Sequence, residues 1–294
     1  VLVAGLVAGL ALPEVAQAMR PWLPQMVAGL LFITALRVGY HDSVGQIRAT
    51  PGVFWEVLIL QLALPVCAAT LAWALGLLQS WAVIAVVLML AAPSITGSPN
   101  FSALLGRDPA PAMQILVVGT ALFPVTMLPV AWMLSDAFGP TPLGLGASLS
   151  MVAVILVAVS AGFGLRARIL PKPDLAQTKQ LEGLGVLALA LIVIGLMAGI
   201  RPVLDRAPLE LLGWLALVFA ANFGLQVVAF RTLPKSGRRV PLSLIAGNRN
   251  VALFLLVLPD PVIAALLPFI GCYQLPMYLT PLLMARLYRA EAMR

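Results

Sequence analysis

Arg249 is the residue of this chain that most needs explaining. It sits in a polar knot, Gly247-Asn248-Arg249-Asn250, inside the apolar run VPLSLIAGNRNVALFLLVLP. A guanidinium is effectively always protonated and presents five N–H donors. At the centre of a bilayer such a charge costs about 2.5–3.5 kcal/mol on insertion scales, so it persists only where it is satisfied. No acidic residue lies nearby in sequence. Two chemistries would serve: backbone carbonyls opened by a helix break, or an anion.

A second polar stretch, Pro93 to Asn100, interrupts VIAVVLMLAAPSITGSPNFSALLG. Proline removes a backbone donor and clashes with the preceding turn, so Pro93 and Pro99 break a helix here. Thr96 and Ser98 supply hydroxyls for the freed backbone groups. Elsewhere in apolar sequence the polar side chains are few. Gln61 lies in LILQLALP, Asn222 and Gln226 in AANFGLQVV, and Tyr273 with Gln274 in GCYQLP. Glu56 follows Trp55 and reads as an interfacial anchor.

Catalysis finds little support in these residues. His41, beside Asp42, is the only histidine and cannot build a metal site alone. Neither a nucleophile–base pair nor a phosphate-cradling glycine loop is present, so an enzyme is not expected. Cys67 and Cys272 fall in apolar segments and read as small packers without a disulfide framework.

These groups must be positioned by membrane helices. Of 294 residues, 62% are hydrophobic and 10% charged, against about 25% charged in soluble domains. Apolar segments long enough for helices run over 1–12, 22–39, 53–78, 81–106, 112–137, 143–165, 182–200, 209–230, 240–258 and 261–287, ten in all. The first is short for a span and the chain opens on Val, so an incomplete first helix is expected. A signal peptide fits 1–12 poorly, for want of a basic n-region and a following soluble domain.

The net charge of +7 carries no nucleic-acid motif. With an N-terminus inside, fourteen Lys and Arg residues fall on the cytoplasmic side, among them Arg37, Arg48, Arg107, Arg238 and Arg294. Only Arg20, Arg201 and Arg206 fall outside. That is the positive-inside pattern, and it places both termini in the cytoplasm. The two interruptions fall in the fourth span of each five-span half, which makes 1–137 and 138–294 candidate inverted repeats. Broken helices at matching positions of two halves point to a transporter's midplane site.

These segments resemble the bile acid:sodium symporter family. PWLPQMVAGLLFITALRVG resembles its second helix, LILQLALP its third, AAPSITGSPNFSALLGRD its first crossover and AGNRNVALFL its second. The resemblance implies an all-α fold of ten transmembrane helices in two inverted five-helix repeats, helices four and nine broken and crossing near the midplane. It implies an organic-anion carrier in a bacterial inner membrane. It also implies two sodium ions behind the crossover, but here their ligands are replaced: Ile245 stands at the glutamate position, Arg249 at the glutamine position, and Met113 and Val117 at hydroxyl positions of helix five. Gln61 and Asn250 are retained.

Arg249 is therefore expected to stand in for sodium, donating to Gln61, Asn100 and carbonyls of the broken helices, with a small organic anion as its partner. The alternative role is a structural brace without substrate contact. Thr96, Ser98, Asn100, Asn222, Asn250, Tyr273 and Gln274 are the expected cavity residues beside Arg249, and Gln61, Gly247 and Asn248 complete the crossover. No cofactor and no protein partner is indicated beyond the lipid bilayer. Two rivals stay open: a sodium symporter with ligands relocated to Thr96, Ser98, Asn100 and Asn248, and a non-transporting sensor or subunit on the same fold.

Overall fold

The structure, a computed structural model, describes residues 1–39, 51–138 and 145–289. His41, Asp42, Arg48 and Arg294 lie outside the described residues. The chain is an all-α integral membrane protein. Among the described residues seven helices are long and apolar enough to cross a bilayer, within 13–38, 52–74, 110–133, 152–169, 175–206, 208–232 and 260–289. The only ladder pairing among them is one isolated bridge between Ser94 and Arg249.

In chain order the helices are α1 (Leu2–Ala11), α2 (Pro13–Met19), α3 (Leu23–Val38), α4 (Pro51–Leu58), α5 (Leu64–Ala74), α6 (Trp81–Ala91), α7 (Ser98–Leu104), α8 (Ala110–Met133), α9 (Leu145–Ile169), α10 (Leu175–Leu196), α11 (Ile200–Arg206), α12 (Pro208–Thr232), α13 (Arg239–Gly247), α14 (Asp260–Leu283) and α15 (Ala285–Arg289). Proline sets several starts, as at Pro13 and Pro99, where its missing N–H is one the helix does not use. At α10 Asp174 accepts from the Gln177 N–H (2.7 Å) while the Gln177 side chain accepts from the Asp174 N–H (3.0 Å), a reciprocal cap.

The helices form two compact units. The first contains α1 to α3, α9 to α11 and the segment Ala252–Gly271. It packs through glycine. A Cβ on Gly5 would lie 2.8 Å from the Ala190 carbonyl oxygen, and one on Gly162 would lie 2.6 Å from that of Phe32. Without side chains at these points the helix backbones close on each other, which is how membrane helices gain contact where lipid supplies no hydrophobic drive. Gln17 donates to the Ala198 carbonyl (2.9 Å) and Arg166 to that of Leu36 (3.3 Å).

The second unit contains α4 to α8, most of α12, α13, and the chain from Cys272 onward. The first interrupted segment lies wholly in it, and the second does as far as Val251. One apolar cluster joins Val53, Val57 and Leu60 to Ala112, Ile115 and Val118 of α8 and to Leu242 and Ile245 of α13. Another joins Leu105, Phe230, Val240, Leu244, Met284 and Tyr288. Glu56 is more than the expected interfacial anchor. It accepts two hydrogen bonds from Arg238, one from Nε at 2.8 Å, while Arg238 Nη1 donates to Gln114 at 2.9 Å. The partners are 182 residues apart, so sequence adjacency could not show them.

Candidate functional site

The site is the place where the two interruptions meet. Helix α6 ends because Pro93 follows it: a residue before proline is pushed from helical to extended backbone, and Ala92 sits at φ −65°, ψ 147°. Helix α13 ends at Gly247, after which Asn248 is extended at φ −107°, ψ 93°. The two extended stretches pair. The Asn250 N–H donates to the Pro93 carbonyl (2.7 Å) and the Ile95 N–H to the Asn248 carbonyl (3.3 Å). This makes Ser94 and Arg249 the closely spaced, non-hydrogen-bonded pair of an antiparallel bridge.

A helix that stops inside an apolar medium leaves carbonyls that water cannot reach. Side chains take them over at the end of α13. Asn248 Nδ2 donates to the Leu244 carbonyl (2.8 Å) and Asn222 Nδ2 to that of Gly247 (2.6 Å). The Tyr273 hydroxyl also donates to Gly247 and accepts from the Arg249 backbone N–H (2.9 Å). Gly247 has no substitute here, because a Cβ would run into the Asn222 carbonyl oxygen and lie 2.7 Å from Gln226 Cγ.

Arg249 is 1% exposed. Its Nε donates to the Ala246 carbonyl (3.2 Å) and its Nη1 to that of Ala92 (3.1 Å). One carbonyl belongs to the last turn of α13 and the other to the cap of α6. Nη2 is buried without a hydrogen-bond partner. The expected donation to backbone carbonyls is observed; donation to Gln61 and Asn100 is not. Gln61 Nε2 goes to the Gly119 carbonyl (3.0 Å) and to Thr126 Oγ1 (3.5 Å), and Asn100 is exposed.

Gln61 sits in a π-helical turn, Ile59–Ala63, between α4 and α5. Pro65 explains the wider turn, since it has no N–H to return to the Gln61 carbonyl four residues back. The turn places the Gln61 amide against Gly119, where a Cβ would run into Gln61 Oε1.

The remaining candidates fall into two groups. Asn222, Asn248 and Tyr273 belong to one buried network with Gln226 and Thr280. Gln226 Nε2 donates to Asn222 Oδ1 (2.6 Å) and Thr280 Oγ1 (3.2 Å), Thr280 donates to Asn248 Oδ1 (3.2 Å), and the Tyr288 hydroxyl donates to Gln226 Oε1 (2.9 Å). At the first interruption the Ser94 and Ser98 hydroxyls bond each other at 2.7 Å, both buried. Thr96 and Asn250 are half-buried. Gln274 is buried and accepts from the Tyr278 hydroxyl (3.0 Å). Ile245 lies fully buried in the apolar cluster of α4, α8 and α13, while Met113 and Val117 are half-buried on α8.

Thr280 and Thr126 are members that the sequence did not single out. Thr280 had a signal: it lies seven residues after Tyr273, on the same helix face. No protein-family model matches this chain, and no curated protein matches it. The functional reading therefore rests on the geometry above.

Proposed function

We propose that the protein is a secondary transporter or facilitator of small organic anions, working without sodium coupling, with Arg249 in the place of a coupling cation. The observation that carries this reading is the Arg249 guanidinium, held at the meeting of two interrupted helices with Nη2 left over as a donor. Interrupted helices expose backbone at membrane depth, a costly arrangement whose common use is solute binding. Ten crossings in two inverted repeats are part of this proposal, supported by the seven long apolar helices and the two interrupted segments. The proposed setting is a bacterial inner membrane with both termini in the cytoplasm, following the basic-residue asymmetry.

With Nε and Nη1 engaged on carbonyls, Nη2 would meet one oxygen of a carboxylate or sulfonate end-on rather than through a two-nitrogen fork. Nη2 is covered in this conformation, so a substrate would reach it only after a conformational opening. The same burial favours a second reading, in which the fold is kept by a non-transporting sensor or subunit and Arg249 only braces the crossover.

Thermal unfolding of purified protein with a panel of organic anions, in sodium and in choline buffer, tests the proposal. A ligand that binds the folded state raises its apparent stability by mass action. The expected result is stabilisation by an anion that is independent of sodium and lost in Arg249→Gln. Stabilisation that requires sodium would return the protein to ordinary symport. No response to any anion, with no uptake in proteoliposomes, would favour the second reading.

A further inference from the structure

We infer that the ends of α6 and α13 form a cation site whose permanent occupant is the Arg249 side chain, and that without this side chain the site takes a guanidinium-class cation from solution. The argument begins with the missing acid. The side-chain hydrogen bonds of Arg249 run to the carbonyls of Ala246 and Ala92 and to no carboxylate. Both carbonyls stand at helix C-terminal ends. Each such end carries roughly half a negative charge from its aligned peptide dipoles. Two ends converging on one point sum to roughly one negative charge, the complement of one guanidinium.

Geometry sets the class of cation. Nε and Nη1 reach two different carbonyls, 3.2 and 3.1 Å away, on two different helices. A planar fork spans such a pair from one rigid group, whereas an ammonium is a point donor on a flexible stem. The bridge between Ser94 and Arg249 fixes where the side chain departs from the backbone. The guanidinium is thus tied at its root and at two of its nitrogens. This inference does not depend on whether the protein transports anything, and its test uses no anion.

The test is chemical rescue. Thermal unfolding of purified wild type and Arg249→Ala is followed in ethylguanidinium chloride at low millimolar concentration, and in tetramethylammonium chloride and sodium chloride of equal ionic strength. Arg249→Ala is expected to melt lower than wild type and to regain at least half of the loss in ethylguanidinium, with no gain in tetramethylammonium. Wild type is expected to be indifferent to all three salts. An Arg249→Ala protein as stable as wild type would overturn the inference, as would a loss that ethylguanidinium does not reverse or that sodium alone reverses. If Arg249→Ala does not yield folded protein, Arg249→Lys and Arg249→Met are compared by yield of monodisperse material. The charged variant is expected to retain more than the neutral one, and equal or inverted yields would overturn the inference.

Discussion

The two compact units solve the same problem, holding helices together in an apolar medium, by opposite means. In the first, backbones close on each other at Gly5 and Gly162. In the second, interrupted helices are held by polar side chains. All thirteen buried polar or charged side chains found among the described residues belong to it, from Gln61 to Thr280. Close packing needs no breaks and leaves little for a solute to bind. Breaks cost capping groups, and the concentration of buried polar side chains in one unit makes that unit the bearer of the proposed site.

Substitution can break this contrast at its strongest point first. Gly247→Ala puts a Cβ into the Asn222 backbone at the end of α13, and overpacking against rigid backbone predicts a loss of about 3 kcal/mol. Thermal or denaturant unfolding checks it, and a change within error would mean that the crossover is looser than described. Asn222→Leu removes one of the two donors on the Gly247 carbonyl and one partner each from Gln226 and Asn248. A loss of about 2 kcal/mol is expected, at the upper end for interhelical hydrogen bonds in membranes, because several bonds are lost together. If Asn222→Leu is neutral while Thr280→Val is costly, the network is centred on Thr280 instead.

In the first unit Gly162→Ala meets backbone, the Phe32 oxygen at 2.6 Å, whereas Gly195→Ala meets the far end of a side chain, Leu23 Cδ2 at 2.8 Å. Gly162→Ala is expected to cost about 2 kcal/mol and Gly195→Ala about 1 kcal/mol, because the end of a side chain can turn aside and a backbone cannot. Equal costs would remove the distinction. The smallest effect is expected for Glu56→Gln. Its pair with Arg238 is about a quarter exposed on each side, so a loss of about 0.5–1 kcal/mol that shrinks in high salt is expected. A salt-independent loss would mean that the hydrogen bonds rather than the charges carry the contact.

The two interruptions also differ in how legible they were. The first is written locally: Pro93 and Pro99 stop and restart a helix through covalent geometry, and α6 and α7 end and begin accordingly. The second carried only Gly247 and two asparagines as signals. Its end is closed by Asn222 and Tyr273, which are 25 and 26 residues from the carbonyl they share. Gln61 was legible as a polar residue in an apolar run. Its partner was not, because Gly119 offers a backbone carbonyl and the absence of a side chain, neither of which marks a sequence.

Composition and hydropathy alone determined that this is a helical membrane protein with two interrupted segments, because both follow from local physics: apolar length and the covalent limits of proline. Sequence also placed an arginine at a break and showed that no acid accompanies it. Only the tertiary structure decided what answers that charge. The answer is the backbone of two helix ends, at Ala92 and Ala246. Backbone carbonyls are the same at every position in the chain, so only their placement in space could distinguish these two.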